Sequence, residues 1–287
     1  MIQALNGTTG VLGIIGNPVS HSRSPVMQNA ALQACGLNYV YVPFEVAPDS
    51  LGEAVAGLKA LGVAGINVTI PYKTEVMKYL DGLDETAVAA GAVNTVNNES
   101  GRLIGYNTDG EGLLRALSSD LDFTPHGRTI LLIGAGGAAR GALAALCRGG
   151  ARQVIVYNRT HRTAVELVSI MAARYSATRL IALPDITALE SALPTVDLVV
   201  NATSLGMKGE KIPWLKLELL PHTAKVYDMV YAPPHTELLG ESARLGLRAA
   251  NGLGMLAAQG EGAFSVWTGV TPPSGLMQSV LSGIYDD

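Results

Sequence analysis

Residues 129–139 read T-I-L-L-I-G-A-G-G-A-A, and this stretch constrains the fold of the chain more than any other. Its first five residues are β-branched or aliphatic with no polar break, as a parallel strand buried on both faces requires. The run then breaks into small residues, each suited to one demand. Gly134 permits a tight turn, Gly136 lets backbone approach a pyrophosphate, and Ala139 lets a helix lie close on a strand. The spacing is G-x-G-x-x-A, a variant of the dinucleotide-binding fingerprint. Backbone amides at the start of the following helix, at the positive end of its dipole, would face the phosphates. A glycine-rich turn between any strand and helix can look similar, so the motif alone leaves an ordinary turn open.

The next apolar run narrows the choice. Residues 153–157, Q-V-I-V-Y, begin about twenty positions after the fingerprint and lead into Asn158, Arg159 and Thr160. A site selective for NAD places an acid at the end of this strand to accept from the ribose 2′-hydroxyl. None is present. Arg159 offers instead a planar fork of donors suited to a 2′-phosphate, with Asn158 and Thr160 as neutral hydrogen-bonding neighbours. The pattern favours NADP(H) over NAD. The competing reading makes Arg159 a solvated residue at a helix start, with Thr160 as its N-cap.

At 287 residues, with 48% hydrophobic and only 15% charged side chains, the chain has material for two substantial cores. A net charge of -4 and the absence of any lysine or arginine run give no electrostatic reason to expect nucleic acid as a partner. Cys35 and Cys147 form no cysteine framework and suit buried free thiols of a reduced compartment. The N-terminal M-I-Q-A-L-N-G lacks the pattern of a signal peptide. No uninterrupted apolar run reaches about 18 residues, so a membrane span is not expected and the expected location is cytoplasmic. No spacing suggests a metal site.

Along the chain, strands are expected at 11–15, 39–46, 64–70 and 92–96, with helices at 25–35, 50–61 and 84–90 between them. Pro25 suits a first helical turn, with Ser24 as its cap. Residues 109–121 carry Leu113, Leu114, Leu117 and Leu121 on one helical face and would bridge two domains. Beyond the fingerprint, strands recur at 153–157, 179–183, 197–201, 225–229 and 248–250, mostly separated by helices. That is a doubly wound α/β pattern. Two helices are expected in the tail, at 255–268 and 273–285. The expected division is an α/β domain over 1–110, a nucleotide-binding domain over 111–251, and C-terminal helices over 252–287 returning to the first domain.

Four motifs in the first domain are hard to explain by packing. In S-H-S-R-S-P (20–25), the hydroxyls of Ser22 and Ser24 can donate to a carboxylate near a helix start, or can merely decorate a cap. In N-V-T-I-P-Y-K (67–73), Asn67 and Thr69 alternate and so share one strand face. Lys73 follows in a turn, where a lysine is ordinarily a solvated charge unless a carboxylate partners it. In G-A-V-N-T (91–95), Asn94 interrupts an apolar run and needs partners or a cleft. In N-T-D-G (107–110), Asp109 can cap the bridging helix or serve chemistry.

Taken together with Y-N-T-D-G, G-A-G-G-A-A-R, N-R-T, N-A-T-S-L-G-M, Y-D-M-V-Y and N-G-L-G-M-L-A-A-Q, these motifs resemble the shikimate dehydrogenase family in order and spacing, over nearly the whole chain. The resemblance implies an N-terminal α/β substrate domain, a Rossmann-type NADP-binding domain and a cleft between them. It implies reversible reduction of 3-dehydroshikimate to shikimate by NADPH, in the pathway to aromatic amino acids. Lys73 and Asp109 match the family's catalytic pair. Ser22 and Ser24 match holders of the substrate carboxylate, and Asn67, Thr69, Asn94, Tyr231 and Gln259 match positions around the ring hydroxyls or the cleft. Gly134, Ala135, Gly136, Gly137 and Ala138 match the pyrophosphate loop, and Asn158, Arg159 and Thr160 the 2′-phosphate clamp. Met229 and Gly252 match residues near the nicotinamide, and Glu85 a further cofactor contact.

Two positions depart from the family pattern. A second clamp arginine usually lies one place later than Arg162, so either Arg162 reaches the phosphate or Arg159 acts alone. Asn251 stands where an aspartate often precedes the glycine, and a structural role is expected for it. A quinate/shikimate dehydrogenase of broader substrate range or NAD use and a noncatalytic NADP-binding sensor are the alternatives. The missing acid after 153–157 counts against the first, and the presence of both Lys73 and Asp109 counts against the second. A homodimer is left open, and closure of the cleft is expected to exclude water.

Overall fold

The computed structural model describes residues 5–283. Residues 1–4 of the N-terminal stretch and the last two positions of the helix expected over 273–285 lie outside the described residues. The chain divides into two compact units, one reaching to Gly112 and resuming at Leu256, the other spanning Leu113–Met255.

In the first unit, β1 (Gly10–Gly16), α1 (Ser24–Ala34), β2 (Tyr39–Glu45), α2 (Leu51–Ala60) and β3 (Gly65–Val68) alternate as the apolar pattern predicts. They are followed by β4 (Gly82–Leu83), α3 (Glu85–Ala90), β5 (Thr95–Glu99), β6 (Arg102–Tyr106) and the first turn of α4 (Asp109–Leu121). The sheet runs β2-β1-β3-β5-β6-β4. Its β1, β2 and β3 are parallel, and β5 is antiparallel to both β3 and β6. Ile15, Val55, Ile66, Val68, Val93 and Val96 form its core.

The structure departs from two expectations. The strand expected over 92–96 begins only at Thr95, because the Asn94 carbonyl accepts from Val68 N while its side-chain oxygen accepts from Thr108 N, holding Asn94 in a bend. Ser24 does not cap α1: Arg23 already has helical dihedrals (φ -88, ψ -6), so Ser24 lies inside the first turn and its amide donates to Ser22 Oγ. The strands β4 and β6 were not expected. The signal of β6 is the turn at Ser100 and Gly101, both with positive φ, which reverses the chain between β5 and β6.

The second unit holds β7 (Thr129–Ile133), α5 (Gly137–Arg148), β8 (Gln153–Tyr157), α6 (His161–Ala172), β9 (Arg179–Ala182), α7 (Ile186–Ala192) and β10 (Leu198–Asn201). It continues through β11 (Lys225–Asp228), α8 (Glu237–Arg244), β12 (Arg248–Ala250) and the start of α9 (Leu253–Thr268). Its six strands are all parallel, in the order β12-β11-β10-β7-β8-β9. This is the Rossmann order, reversing between β7 and β10. The unbroken apolar run is explained by two cores on opposite faces. Ile130 and Leu132 of β7 join Val154, Val156, Leu198 and Val200 on one side, while Leu131 and Ile133 join Ile155, Tyr157 and Val199 on the other. Each such aliphatic side chain contributes about 1.5–3 kcal/mol on burial. Leu113, Leu117 and Leu121 of α4 pack into the first of these cores.

The rest of α9 and α10 (Leu276–Gly283) belong to the first unit. Gln28 Nε2 of α1 donates to Gly260 O at 2.9 Å, and Trp267 Nε1 donates to Val96 O at 2.9 Å. Gly65 has no room for a side chain because the Trp267 indole lies against it. These contacts fix the face of α9 that carries Gln259. No helix among the described residues is long and apolar enough to cross a membrane.

Candidate active site

In the first unit, β3 ends in a turn that delivers Lys73. Tyr72 Oη donates to Val46 O at 2.6 Å and Val93 N donates to Lys73 O at 2.7 Å, so the backbone on both sides of the lysine is held. Lys73 Nζ donates to Asp109 Oδ2 at 2.5 Å, with side chains only 16% and 7% exposed. Lys73 is therefore not a solvated surface charge. Asp109 opens α4, yet its carboxylate is engaged by side chains: Oδ2 by Lys73 and Oδ1 by Asn94 Nδ2 at 2.8 Å. Acid, ammonium and amide thus meet in one largely buried cluster.

The cluster extends through amides. Asn94 Nδ2 also reaches Thr108 Oγ1 at 2.9 Å and Gln259 Oε1 at 3.4 Å. Gln259 Nε2 is tied to Leu256 O within α9. Asn67 Nδ2 lies 3.1 Å from Asn94 O and 3.2 Å from Thr95 Oγ1, while its Oδ1 accepts from Tyr41 Oη at 2.7 Å. Thr69 follows β3, its amide donating to Ile15 O and its methyl lying against Gly16. Ser24 is buried and Ser22 half-buried at the start of α1. Burial pushes the Tyr41 phenol well above its usual pKa, and a hydrogen bond with Ser24 opposes that rise. Sequence reasoning missed Tyr41 and Thr95. The first reads as an ordinary strand residue, and the second sits unremarked beside Asn94 in its motif.

In the second unit, Gly134 ends β7 with φ +111, and a Cβ there would stand 3.1 Å from Ala202 O, so the turn needs glycine. At Gly136 an added Cβ would meet nothing within 4 Å, and α5 starts at the next residue. Ala135 is buried, and Gly137 and Ala138 are half-buried in the first turn of α5. Backbone amides beside open space at the reversal of strand order fit a dinucleotide pyrophosphate. At the end of β8, Asn158 Nδ2 donates to Thr160 O, and Arg159 is exposed, its guanidinium having no partner among the described residues. Thr160 occupies the N-cap position of α6 without a side-chain capping bond. Arg162 pairs with Glu166 on the exposed face of α6, and His161 Nδ1 faces Leu183 O at 2.8 Å.

Met229 and Gly252 adjoin each other so closely that a Cβ on Gly252 would collide with the Met229 carbonyl. Asn251 donates to Pro234 O and accepts from Leu253 N, the structural role expected of it. Tyr231 follows β11 in the second unit and is half-buried. Glu85 is exposed at the first position of α3 in the first unit, where an acid also favours the helix dipole.

Residues 14–96 match the shikimate dehydrogenase substrate binding domain, residues 118–208 the shikimate / quinate 5-dehydrogenase model, and residues 252–281 the shikimate 5'-dehydrogenase C-terminal domain. The chain is 52% identical over 275 residues to the shikimate dehydrogenase (NADP(+)) of Geobacter metallireducens, covering 96% of each chain. The chain belongs to the shikimate dehydrogenase family.

Solved members of the shikimate dehydrogenase family have the same fold. One in complex with NADP+ superposes with TM-score 0.90 at 40% identity, covering 98% of this chain and 97% of the other. Another, from Thermus thermophilus in complex with NADP(H) and shikimate, gives 0.84 at 34% identity, covering 96% and 99%. The first unit contains the match to the family's substrate binding domain, and the Rossmann sheet of the second contains most of the dehydrogenase match.

Proposed function

We propose that this shikimate dehydrogenase family member catalyses the reversible, NADPH-dependent reduction of 3-dehydroshikimate to shikimate, a step towards aromatic amino acids. The observation that carries the reading is the buried Lys73–Asp109 pair held by Asn94. Relatives named for this NADP-dependent activity support it. The free thiols of Cys35 and Cys147 suit a cytoplasmic protein.

NADPH supplies the hydride when bound. As the substrate carbonyl becomes an alcohol, negative charge builds on its oxygen, and the Lys73 ammonium both stabilises that charge and donates the proton. In the reverse direction Lys73 accepts the alcohol proton. Asp109 holds Lys73 in place and accepts from a ring hydroxyl. Ser22 and Ser24 donate to the substrate carboxylate, while Asn67, Thr69, Asn94, Tyr231 and Gln259 lie around the ring hydroxyls or the cleft. The amides of Gly134 to Ala138 hold the cofactor pyrophosphate, and Asn158, Arg159 and Thr160 hold the 2′-phosphate. Met229 and Gly252 would lie near the nicotinamide. Arg162, paired with Glu166, either exchanges that partner for the 2′-phosphate or leaves Arg159 to act alone, and Glu85 is a further cofactor contact.

The test is absorbance at 340 nm with shikimate and quinate, each with NADP and with NAD. Shikimate with NADP is expected to have the highest kcat/KM. Preference for quinate or NAD would move the protein to the broader dehydrogenases, and no reduction with any pair would leave a cofactor-binding sensor.

A further inference from the structure

We infer that Tyr41 and Thr95 are positioning residues for the substrate reaction, fixing through Asn67 and Asn94 the orientation in which Asp109 meets Lys73. The inference rests on the proposed function, and it follows from the direction in which each hydrogen must point.

A backbone carbonyl can only accept, so the Asn94 carbonyl requires the amide nitrogen of Asn67 to face it, at 3.1 Å. The Asn67 oxygen then faces Tyr41, whose phenol must donate across the 2.7 Å contact. The second amide hydrogen of Asn67 goes to Thr95 Oγ1 at 3.2 Å, leaving the Thr95 proton for Asn94 Oδ1 at 3.0 Å. That same oxygen receives Thr108 N at 2.8 Å, a donor that cannot reverse. The Asn94 amide is thereby locked with its nitrogen towards Asp109 Oδ1. Every hydrogen points one way, from Tyr41 through Asn67, Thr95 and Asn94 to Asp109, where Lys73 donates from the other side.

Tyr41 is 1% exposed and Thr95 0%, so bulk water does not compete for these groups. The raised pKa of the buried Tyr41 phenol keeps it a donor throughout the working pH range. Removal of the Thr95 hydroxyl takes an acceptor from Asn67 and a donor from Asn94 together; Thr108 N still marks the Asn94 oxygen and the Asn94 carbonyl still marks the Asn67 nitrogen, but each amide loses one of the contacts that fix its position.

The test compares Thr95→Val, Thr95→Ser and Tyr41→Phe, with thermal unfolding to confirm that each folds. Thr95→Val and Tyr41→Phe are expected to lower kcat/KM for shikimate about tenfold while the KM for NADP stays within about twofold; Thr95→Ser is expected to stay within about threefold of wild type. A role in packing alone predicts the reverse, with valine tolerated and serine harmful. Wild-type kcat/KM in Thr95→Val, or a parallel rise in the KM for NADP, would overturn the inference. Failure of the wild-type enzyme to oxidise shikimate would instead count against the proposed function. In that event, crystal structures of Thr95→Val and the wild type still decide: the inference requires the Asn94 amide to shift against Asp109 in the variant, lengthening their 2.8 Å contact, and an unmoved amide overturns it.

Discussion

Lys73 Nζ stands 2.5 Å from Asp109 Oδ2, joining the turn after β3 to the first residue of α4 across 36 positions of sequence. Replacement of Asp109 by asparagine would leave a cation, 16% exposed, without its counter-ion. Asp109→Asn is expected to cost about 2 kcal/mol in urea unfolding at neutral pH, because an uncompensated charge in a largely buried site is not fully rehydrated. Its kcat is expected to fall at least tenfold as Lys73 loses its fixed position.

Arg159 is exposed at the end of β8, its guanidinium unpartnered among the described residues and so free for a phosphate. Arg159→Ala should raise the KM for NADP by about ten- to a hundredfold, the loss expected of a charge-assisted bidentate contact. The KM for NAD, which has no 2′-phosphate, should stay nearly constant. Equal effects on both cofactors would place Arg159 elsewhere in binding.

Asp228 is fully buried at the end of β11, accepting from Asn201 Nδ2, Val230 N and Thr236 Oγ1. Burial raises its pKa above the unfolded value of 3.8, and the three hydrogen bonds oppose that rise without cancelling it. Between those two values the folded protein keeps a proton that the unfolded chain has lost, so this group's contribution to stability falls as pH rises through that window. Asp228→Asn is neutral at every pH, and Thr236 can turn its hydroxyl to accept from it. The Tm of the variant relative to wild type should therefore increase between pH 4 and pH 7, as read by calorimetry.

Burial pushes the Cys147 thiol up to about 11, against a hydrogen bond with Thr178, whereas Cys35 is partly exposed. At pH 8 about one Cys147 in a thousand is a thiolate. A disulfide reagent should label Cys35 promptly and Cys147 only at the rate of unfolding, which peptide mapping of the labelled protein distinguishes.

The Rossmann sheet was legible in the sequence because its strands are buried on both faces. β8 and β12 fall at the expected bounds, as does α4, whose leucines share one face. β4 and β6 were not legible: one has two residues, and the other, R-L-I-G-Y, contains a glycine and is marked chiefly by the turn before it. Asn94 and Lys73 show the same limit at the site. Their motifs announced polar residues needing partners, but the partners lie on α4 and α9, and no local spacing encodes that meeting. Ser24 was misread as a cap because the helical dihedrals of Arg23 leave no trace in the sequence.

In the proposed mechanism Lys73 carries the proton and stabilises the developing alkoxide. That role is tested most directly by mixing NADPH-loaded protein with 3-dehydroshikimate in a stopped-flow instrument and following the first turnover at 340 nm. Lys73→Ala is expected to slow that turnover by about a hundred- to ten-thousandfold, the range for loss of a general acid, while NADPH titrates with unchanged affinity. A first turnover at the wild-type rate in Lys73→Ala would remove Lys73 from the proton transfer.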